Sequence, residues 1–239
     1  MSEVKIAVTI EPENDIPQCI INDLIKYQAS FDIIEVRIDQ WLTPNVKQIA
    51  KVIDKLYNLN LNKKFLVTYR KQSQGGKGDL SLDAYVALLK EIIILDHVDM
   101  IDVEFEKNQK LQYMRNLIDL ARKNDVESIL SYHDFQKTPS LESLKHLYYK
   151  MHQMNPDYLK VAVMPHGKQD VLNLLSTLSE TVDSVSQQVI GIAMSKLGMI
   201  SRTAQGLFGG AVSYGCLDQP KAPGQIHVET LKCQLKMYE

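Results

Sequence analysis

Cysteine is scarce in this chain, and its few cysteines are not spaced as a framework. The 239 residues include Cys19, Cys216 and Cys233, an odd number without a CxxC pair. This spacing disfavours both a disulfide scaffold and a zinc ribbon. We therefore expect a reduced, cytoplasmic protein.

Basic charge in excess and long apolar segments are also missing. Lys and Arg number 27 against 29 Asp and Glu, so the formal net charge is −2. A protein that grips a polyanion needs a basic excess, and we expect no nucleic-acid partner. No apolar run reaches the roughly 18 residues of a membrane span, and the opening MSEVKIAVTI lacks the regions of an export signal. We expect neither membrane insertion nor export.

Short runs rich in β-branched residues alternate with segments of helical spacing. The runs are KIAVTI, IIEVRI, KFLVTYR, VDMIDVEF, ESILSYH, YLKVAVM, QVIGIAMS and AVSYGCL. Eight strand–helix units predict an α/β protein with a (β/α)8 TIM barrel. No linker or low-complexity segment interrupts the alternation, so we predict a single domain over residues 1–239. An open doubly wound sheet, which usually has fewer strands, is the alternative.

Helix starts and internal repeats are less well marked. One helix is predicted to begin at Thr138 and Pro139, a capping residue and a residue favoured in the first turn, and the last helix follows the Pro-Gly turn at 223–224. We identify no repeated residue motif.

The glycine-rich run 72–80 lacks the phosphate-loop pattern, and we expect a flexible loop. The pair Gly209–Gly210 is a candidate for the phosphate site found in some barrels.

Ionisable residues recur at the ends of five consecutive predicted strands. Side chains alternate along a strand, so in IIEVRIDQW the ionisable residues Glu35, Arg37 and Asp39 share one face and Ile34, Val36 and Ile38 share the other. Because barrel active sites lie at the C-terminal ends of strands, we predict that these side chains surround one cavity. An ion-pair network that only neutralises itself is the alternative for any single pair. The residues are Glu35, Arg37, Asp39, Arg70, Asp102, Glu104, His133 and Lys160.

Lys160 and His133 are the candidate catalytic pair. Adjacent strands lie about 5 Å apart, so both side chains can reach one substrate atom. Beside arginines and walled by Val161, Ala162 and Val163, the lysine should have a depressed pKa and attack a carbonyl to form a Schiff base. The histidine can then move a proton. The alternatives are a lysine that reaches solvent and a histidine that is only a satisfied polar group.

At these residues the chain resembles the type I 3-dehydroquinate dehydratases of the shikimate pathway. The resemblance covers nearly the whole chain and rests on EVRID (35–39), TYR (68–70), SYHDF (131–135), LKVAVM (159–164), AMSKLGMISR (193–202) and APGQ (222–225). It implies a (β/α)8 barrel, usually a homodimer, that converts the small molecule 3-dehydroquinate to 3-dehydroshikimate by syn elimination of water. It also implies that neither a metal nor an organic cofactor is used.

The resemblance also implies roles for individual residues. Lys160 would form the imine with the substrate ketone, and His133 would act as general acid and base. The substrate's hydroxyls and carboxylate would be bound by Glu35, Arg37, Arg70, Arg202 and Gln225. Arg202 is expected to bind the carboxylate, because a planar fork with two donors fits that anion. Met194 matches a methionine near the imine, and Thr9 a small hydroxyl residue.

Two positions depart from the family pattern. Gln74 stands where some members carry a glutamate that orients the histidine, and Lys221 precedes APGQ where they have a serine. Gln74 can hydrogen-bond a histidine but cannot stabilise its cation by charge, so we expect Glu104 or Asp102 to tune His133. The segment APGQ is expected to be a mobile lid.

Two other functions are compatible with parts of the sequence. A class I aldolase also uses a lysine imine in a barrel, but it would need a phosphate or aldehyde site. A barrel that binds a shikimate-type acid without turnover is the second alternative. The departures at Gln74 and Lys221 favour the second, whereas the presence of both Lys160 and His133 disfavours it.

Overall fold

A computed structural model of the chain describes residues 3–12, 15–41, 43–106 and 111–238, and in these residues eight parallel strands alternate with eight α-helices. Every predicted strand is confirmed. The strands are β1 Lys5–Ile10, β2 Ile33–Arg37, β3 Lys64–Thr68, β4 Met100–Glu104, β5 Glu127–Asp134, β6 Tyr158–Val163, β7 Gln188–Ala193 and β8 Val212–Gly215. The helices are α1 Gln18–Tyr27, α2 Val46–Tyr57, α3 Leu82–Ile93, α4 Gln112–Lys123, α5 Leu141–His152, α6 Lys168–Ser184, α7 Ile200–Thr203 and α8 Val228–Leu235.

The strands form one parallel sheet that closes on itself. Their order is β7-β6-β5-β4-β3-β2-β1-β8. At the seam, the N–H of Ala211, just before β8, donates to the carbonyl of Val189 in β7 at 2.8 Å. The sheet is therefore the (β/α)8 barrel that the alternation predicted, and the open doubly wound alternative is wrong.

The inside of the barrel changes from apolar to polar along the strands. Near the N-terminal ends, the interior is filled by buried apolar side chains: Ala7, Ile33, Leu66, Met100, Ile129, Ile190 and Val212. Two residues further on, the same inward faces carry Thr9, Glu35, Thr68, Asp102, Ser131, Lys160, Ile192 and Tyr214. Side chains two residues apart on a strand point to the same face. This polar layer therefore lies next to the apolar layer along the barrel.

An aspartate immediately before a strand ties it to the preceding strand at three places. Oδ2 of Asp32 accepts the N–H of Ile6 at 2.8 Å, and Oδ2 of Asp99 accepts the N–H of Phe65 at 2.8 Å. The third aspartate is Asp157, which accepts the N–H of Ser128 at 2.7 Å. These contacts pair strands at the N-terminal end of the barrel, opposite the polar layer.

These aspartates begin a repeated motif that the sequence patterns had not revealed. Residues 32–36, 99–103 and 157–161 read DIIEV, DMIDV and DYLKV, an aspartate followed by two apolar or aromatic residues, an ionisable residue and valine. The expectation that the chain has no repeated residue motif was therefore wrong. In each copy the fourth residue points into the polar layer: Glu35, Asp102 and Lys160.

One of the two expected helix starts differs in the structure. Helix α5 begins at Leu141, and the side chain of Ser140 accepts the N–H of Ser143 at 3.3 Å as its cap. The hydroxyl of Thr138 instead donates to the carbonyl of Met164 at 3.0 Å. Helix α8 begins at Val228, after the Pro-Gly turn as expected, and residues 216–227 form a loop at the C-terminal end of the barrel.

Candidate active site

A cavity lies at the C-terminal ends of the strands, with about 650 Å³ of empty space when the part open to solvent is included. All seven residues for which the family resemblance implies a catalytic or binding role line it: Glu35, Arg37, Arg70, His133, Lys160, Arg202 and Gln225. Thr9, Gln74, Met194 and Lys221 line the same cavity. The barrel thus brings together side chains from both ends of the sequence.

Lys160 projects from β6 into this cavity and is almost fully buried. Its Nζ lies 3.9 Å from Oε1 of Glu35 and 4.0 Å from the ring centroid of Tyr214, and it makes no hydrogen bond within the described residues. Burial lowers the pKa of Lys160, and Arg70 and Arg37 lower it further against the opposing attraction of the carboxylates. The predicted direction of this pKa shift is confirmed.

The predicted wall around Lys160 is only partly right. Ala162 faces the cavity, but Val161 and Val163 belong to the apolar cluster between the sheet and the helices. They alternate with Lys160 along β6 and so point the other way. The ring of Tyr214, from β8, covers the amine instead. No pattern in AVSYGCL had singled out that tyrosine.

His133 is held by Gln74 at the cavity's edge. Oε1 of Gln74 accepts the backbone N–H of His133 at 2.8 Å and lies 3.3 Å from Nδ1 of its ring. This contact assigns the ring proton to Nδ1 and leaves Nε2 as the free base. Burial lowers the pKa of His133 well below its usual value, and the charges of Arg70 and Lys160 act in the same direction.

The carboxylates expected to tune His133 serve Arg70 instead. Nη2 of Arg70 lies 2.9 Å from Oδ2 of Asp102, and Nη1 lies 3.0 Å from Oε1 of Glu104. Nη1 also donates to Ser131, whose hydroxyl donates to Asp102 at 2.7 Å. Neither carboxylate contacts His133 in the described part of the chain, so the expectation of direct tuning by Glu104 or Asp102 was wrong.

Glu35 is a buried carboxylate held by two threonine hydroxyls. Thr9 donates to Oε2 at 2.6 Å, and Thr68 donates to Oε1 at 2.9 Å. Burial opposes the charge, but Lys160, Arg37 and the Thr9 hydroxyl outweigh it and lower the pKa of Glu35. Glu35 is therefore ionised at neutral pH, and it provides the negative charge nearest to Lys160.

The three arginines of the cavity differ in how their charge is balanced. Arg37 forms two bonds to Asp39, at 2.7 and 2.8 Å, and Arg70 is paired with Asp102 and Glu104. Arg202 has no carboxylate partner within the described residues.

The guanidinium of Arg202 is almost fully buried, and within the described residues its hydrogen bonds go to backbone carbonyls. It donates from Nη2 to the carbonyl of Pro223 at 3.1 Å, and its Nε is unpaired within the described chain. Burial lowers the pKa of Arg202 to about 10, so it remains charged at neutral pH. This unbalanced cation can bind an anion that enters the cavity.

The loop after β8 lies over the cavity. The carbonyl of Pro223 accepts bonds from Arg202 and from the N–H of Ser195, both at 3.1 Å. Oε1 of Gln225 accepts the N–H groups of Lys221 and Ala222 at 2.6 and 3.1 Å. Its amide NH₂ remains as the donor for a bound molecule. The structure thus gives the APGQ segment a closed position.

Lys221 extends from this loop toward the loop after β1. Its Nζ lies 3.4 Å from Oε2 of Glu11, and both side chains are partly exposed. The lysine therefore adds little unbalanced positive charge to the cavity. It links the loop after β8 to the loop after the neighbouring strand β1.

The two glycine-rich segments have different positions. Residues 71–78 form a compact turn in which Gly75 has φ +82° and a Cβ would lie 2.2 Å from the ring of Phe135. That turn, expected to be flexible, places Gln74 against His133. Gly209 and Gly210 precede β8 and lie at the opposite end of the barrel, where their N–H groups bond to Gly206 and Gln205. They are not a phosphate site in this cavity.

Metal-binding clusters and membrane-spanning helices are both absent from the described residues. No group of three or more His, Cys, Asp or Glu side chains there is arranged to hold a metal ion. Among the helices described, none combines the length and the apolar character needed to cross a membrane.

Comparisons with known proteins show what the chain is similar to. The family model of type I 3-dehydroquinase matches residues 8–239. A 3-dehydroquinate dehydratase of Staphylococcus saprophyticus is 60% identical over 239 residues, with 100% of both chains covered. A protein of the same name from Staphylococcus haemolyticus is 48% identical over 238 residues, which cover 100% of this chain and 99% of that one.

Solved structures of similar proteins share the fold. A type I 3-dehydroquinate dehydratase of Clostridium difficile superposes with a TM-score of 0.89 at 32% identity, covering 99% of this chain and 92% of that one. That structure contains covalently modified comenic acid. A 3-dehydroquinate dehydratase of Enterococcus faecalis has a TM-score of 0.85 at 29% identity, covering 100% and 95%.

Proposed function

The chain belongs to the type I 3-dehydroquinase family, and on that premise we propose that it eliminates water from 3-dehydroquinate through an imine of Lys160. Its curated relatives are named 3-dehydroquinate dehydratase, so the chain is a hydro-lyase of this type and serves a step of the shikimate pathway. The product of the proposed reaction is 3-dehydroshikimate.

The observation that carries the imine mechanism is the environment of Lys160. The amine is buried in the cavity, makes no hydrogen bond in the described residues and has a lowered pKa. A larger neutral fraction favours attack of Nζ on the ketone carbon, and loss of water from the adduct leaves a positively charged iminium. That charge acidifies the neighbouring carbon, with Glu35 close by to balance it.

His133 supplies the proton transfers in this proposal. Its lowered pKa keeps the ring neutral, and Nε2 is the free base because Nδ1 faces Gln74. Nε2 removes the proton next to the iminium, and the resulting enamine expels the hydroxyl group, which leaves as water with the proton that His133 returns. One base acting on one face gives syn elimination. Addition of water to the imine then frees the lysine and the product.

The substrate carboxylate is assigned to Arg202. It is the guanidinium of the cavity without a carboxylate partner in the described residues, whereas Arg37 and Arg70 are balanced by acids. Arg37, Arg70, Glu35 and the amide NH₂ of Gln225 are then left to contact the hydroxyl groups. The Clostridium difficile protein, which shares this fold, was solved with covalently modified comenic acid.

Borohydride reduction tests the mechanism. The protein is mixed with 3-dehydroquinate, reduced and digested, and the modified peptide is located by mass spectrometry. We expect an adduct on Lys160 that Lys160→Ala abolishes and that Lys168→Ala, an exposed lysine of α6, leaves unchanged. His133→Ala should retain the adduct but lose turnover.

The outcome also separates the alternatives. Bound substrate without an adduct would contradict imine catalysis and favour a barrel that only binds the acid. Cleavage of a carbon–carbon bond in 3-dehydroquinate would favour a class I aldolase.

Assembly is a separate part of the proposal. From the family resemblance we propose one catalytic domain per chain and a homodimer. Light scattering coupled to gel filtration would give the mass, and a mass of one chain would contradict the dimer.

A further inference from the structure

Tyr214 is a buried residue of the cavity to which the proposed mechanism gives no role. Its side chain is 4% exposed, and its hydroxyl has no hydrogen-bond partner within the described residues. Burying an unpaired hydroxyl is unfavourable, so the hydroxyl does not explain why the side chain lies here. The ring has a specific contact instead, since Nζ of Lys160 lies 4.0 Å from its centroid.

The nitrogen of Lys160 has two electrostatic neighbours and no hydrogen-bond acceptor at bonding distance. Oε1 of Glu35, at 3.9 Å, is too far for a hydrogen bond, and both Glu35 oxygens already accept hydroxyls from Thr9 and Thr68. The face of an aromatic ring carries negative charge and attracts a cation within about 6 Å of the centroid. Neither contact uses the N–H groups or the lone pair of the amine, which remain available to the ketone.

We propose that Tyr214 is a positioning residue for imine formation, in which its ring face holds the nitrogen of Lys160 and stabilises the positive charge of the iminium. A partner bound through an N–H would be weakened when the nitrogen exchanges hydrogens for a bond to carbon. A ring face acts on the charge itself and is retained. The inference rests on the imine mechanism proposed above.

The contact has a predictable sign. The ring favours the charged form of the amine, so its removal lowers the pKa of Lys160 further and destabilises the iminium. The amine of Lys160 stays buried when an apolar side chain replaces the ring. This substitution therefore tests the effect of the negative charge on the ring face. Other charged or titratable groups around the amine come from β2, the loop after β3, β4 and β5: Glu35, Arg37, Arg70, Asp102 and His133. Tyr158 of β6 acts electrostatically on Tyr214.

Three variants of the full chain separate the ring from mere filling of space. Tyr214→Phe keeps the ring and removes the unpartnered hydroxyl, whereas Tyr214→Leu removes the ring. Tyr149→Leu is the matched control, because Tyr149 is 58% exposed on α5. Circular dichroism and thermal unfolding establish that each variant folds.

The first measurement needs no substrate. Acetic anhydride labels neutral amines, and mass spectrometry of the Lys160 peptide across a pH series gives the midpoint of its titration. We expect Tyr214→Leu to lower this midpoint by about half a pH unit or more relative to Tyr214→Phe. The control should match the wild type.

The second measurement is steady-state turnover of 3-dehydroquinate. Loss of iminium stabilisation should lower kcat on the order of tenfold in Tyr214→Leu and leave KM within about twofold. Tyr214→Phe should restore most of kcat. Equal titration and equal kcat in the two variants would overturn the proposal, as would a Tyr214→Phe enzyme as impaired as Tyr214→Leu.

Two further results remain decisive. If Tyr214→Leu does not fold, phenylalanines with increasing ring fluorination at position 214 weaken the ring face at nearly constant shape. A graded fall in the Lys160 titration midpoint and in kcat with increasing fluorination supports the proposal. If both quantities stay constant along the series, the proposal is overturned. If the wild type forms no borohydride adduct, the imine mechanism fails and this inference fails with it, even where the titration midpoints differ.

Discussion

Oε1 of Gln74 accepts the backbone N–H of His133 and lies 3.3 Å from Nδ1 of the same residue. A neutral amide therefore orients the candidate base. Because no carboxylate contacts the ring in the described residues, burial and the cations Arg70 and Lys160 determine the direction of its pKa shift, which is downward. His133 is poised as a base rather than as a cation.

Gln74→Glu should move the pH profile. A carboxylate beside Nδ1 stabilises imidazolium and raises the pKa of His133, so the acid limb of kcat shifts to higher pH by about one unit. The measurement is kcat as a function of pH, with Gln72→Glu, an exposed position in the same turn, as control. Unchanged profiles in both variants would show that the contact does not tune the histidine.

Arg202→Lys should weaken substrate binding more than turnover. A lysine keeps the charge but loses the planar pair of donors, and we expect KM to rise about 10- to 100-fold. Steady-state kinetics provide the test, and Arg122→Lys, on the exposed side of α4, is the control. A fall in kcat at constant KM would contradict the carboxylate assignment.

The acceptor oxygen and the donor NH₂ of the Gln225 amide can be tested separately. Gln225→Glu keeps the oxygen that accepts the N–H groups of Lys221 and Ala222 but loses the amide donor, and Gln225→Ala loses both. If the donor binds substrate, KM rises about tenfold in each variant, while the borohydride adduct at saturating substrate remains. Wild-type KM in Gln225→Glu would mean that this residue only shapes the loop.

The Lys221–Glu11 contact should support loop closure weakly. Both groups are partly exposed, so we expect Lys221→Ala and Glu11→Gln each to raise KM only about two- to threefold. The double variant should be no worse than either single one, because both remove the same contact. Additive effects, or effects insensitive to salt, would exclude the ion pair as the cause.

Asp99→Ala should destabilise the fold and leave kcat unchanged. It removes the acceptor of the Phe65 N–H at the end of the barrel opposite the cavity, at a cost of about 1–3 kcal/mol. Denaturant unfolding gives the free energy, and Asp96→Ala, an exposed aspartate of the same loop, is the control. Equal stability of the two variants would show that the contact contributes nothing.

Much of the fold was predictable because its signals are local. Short runs rich in β-branched residues identified the strands, and the position of Glu35, Lys160 and His133 on those strands predicted that they surround one cavity. Local signals failed where two candidates compete nearby: Thr138 and Ser140 are both capping residues, and only the position of Met164 accounts for the role of Thr138.

The eight strands and their alternation with helices could be predicted from the amino-acid sequence alone, because β-branched runs and helical spacing are local signals. Tertiary structure decided how the charges combine. Closure of the barrel neutralises Arg70 with carboxylates of β4, leaves Arg202 without a carboxylate partner in the described residues and sets the ring of Tyr214 against Lys160. These partners come from separate strands and loops, so no local pattern could reveal which contacts form; hydrogen bonds and charge pairs depend on distances of a few ångströms that only the folded chain establishes.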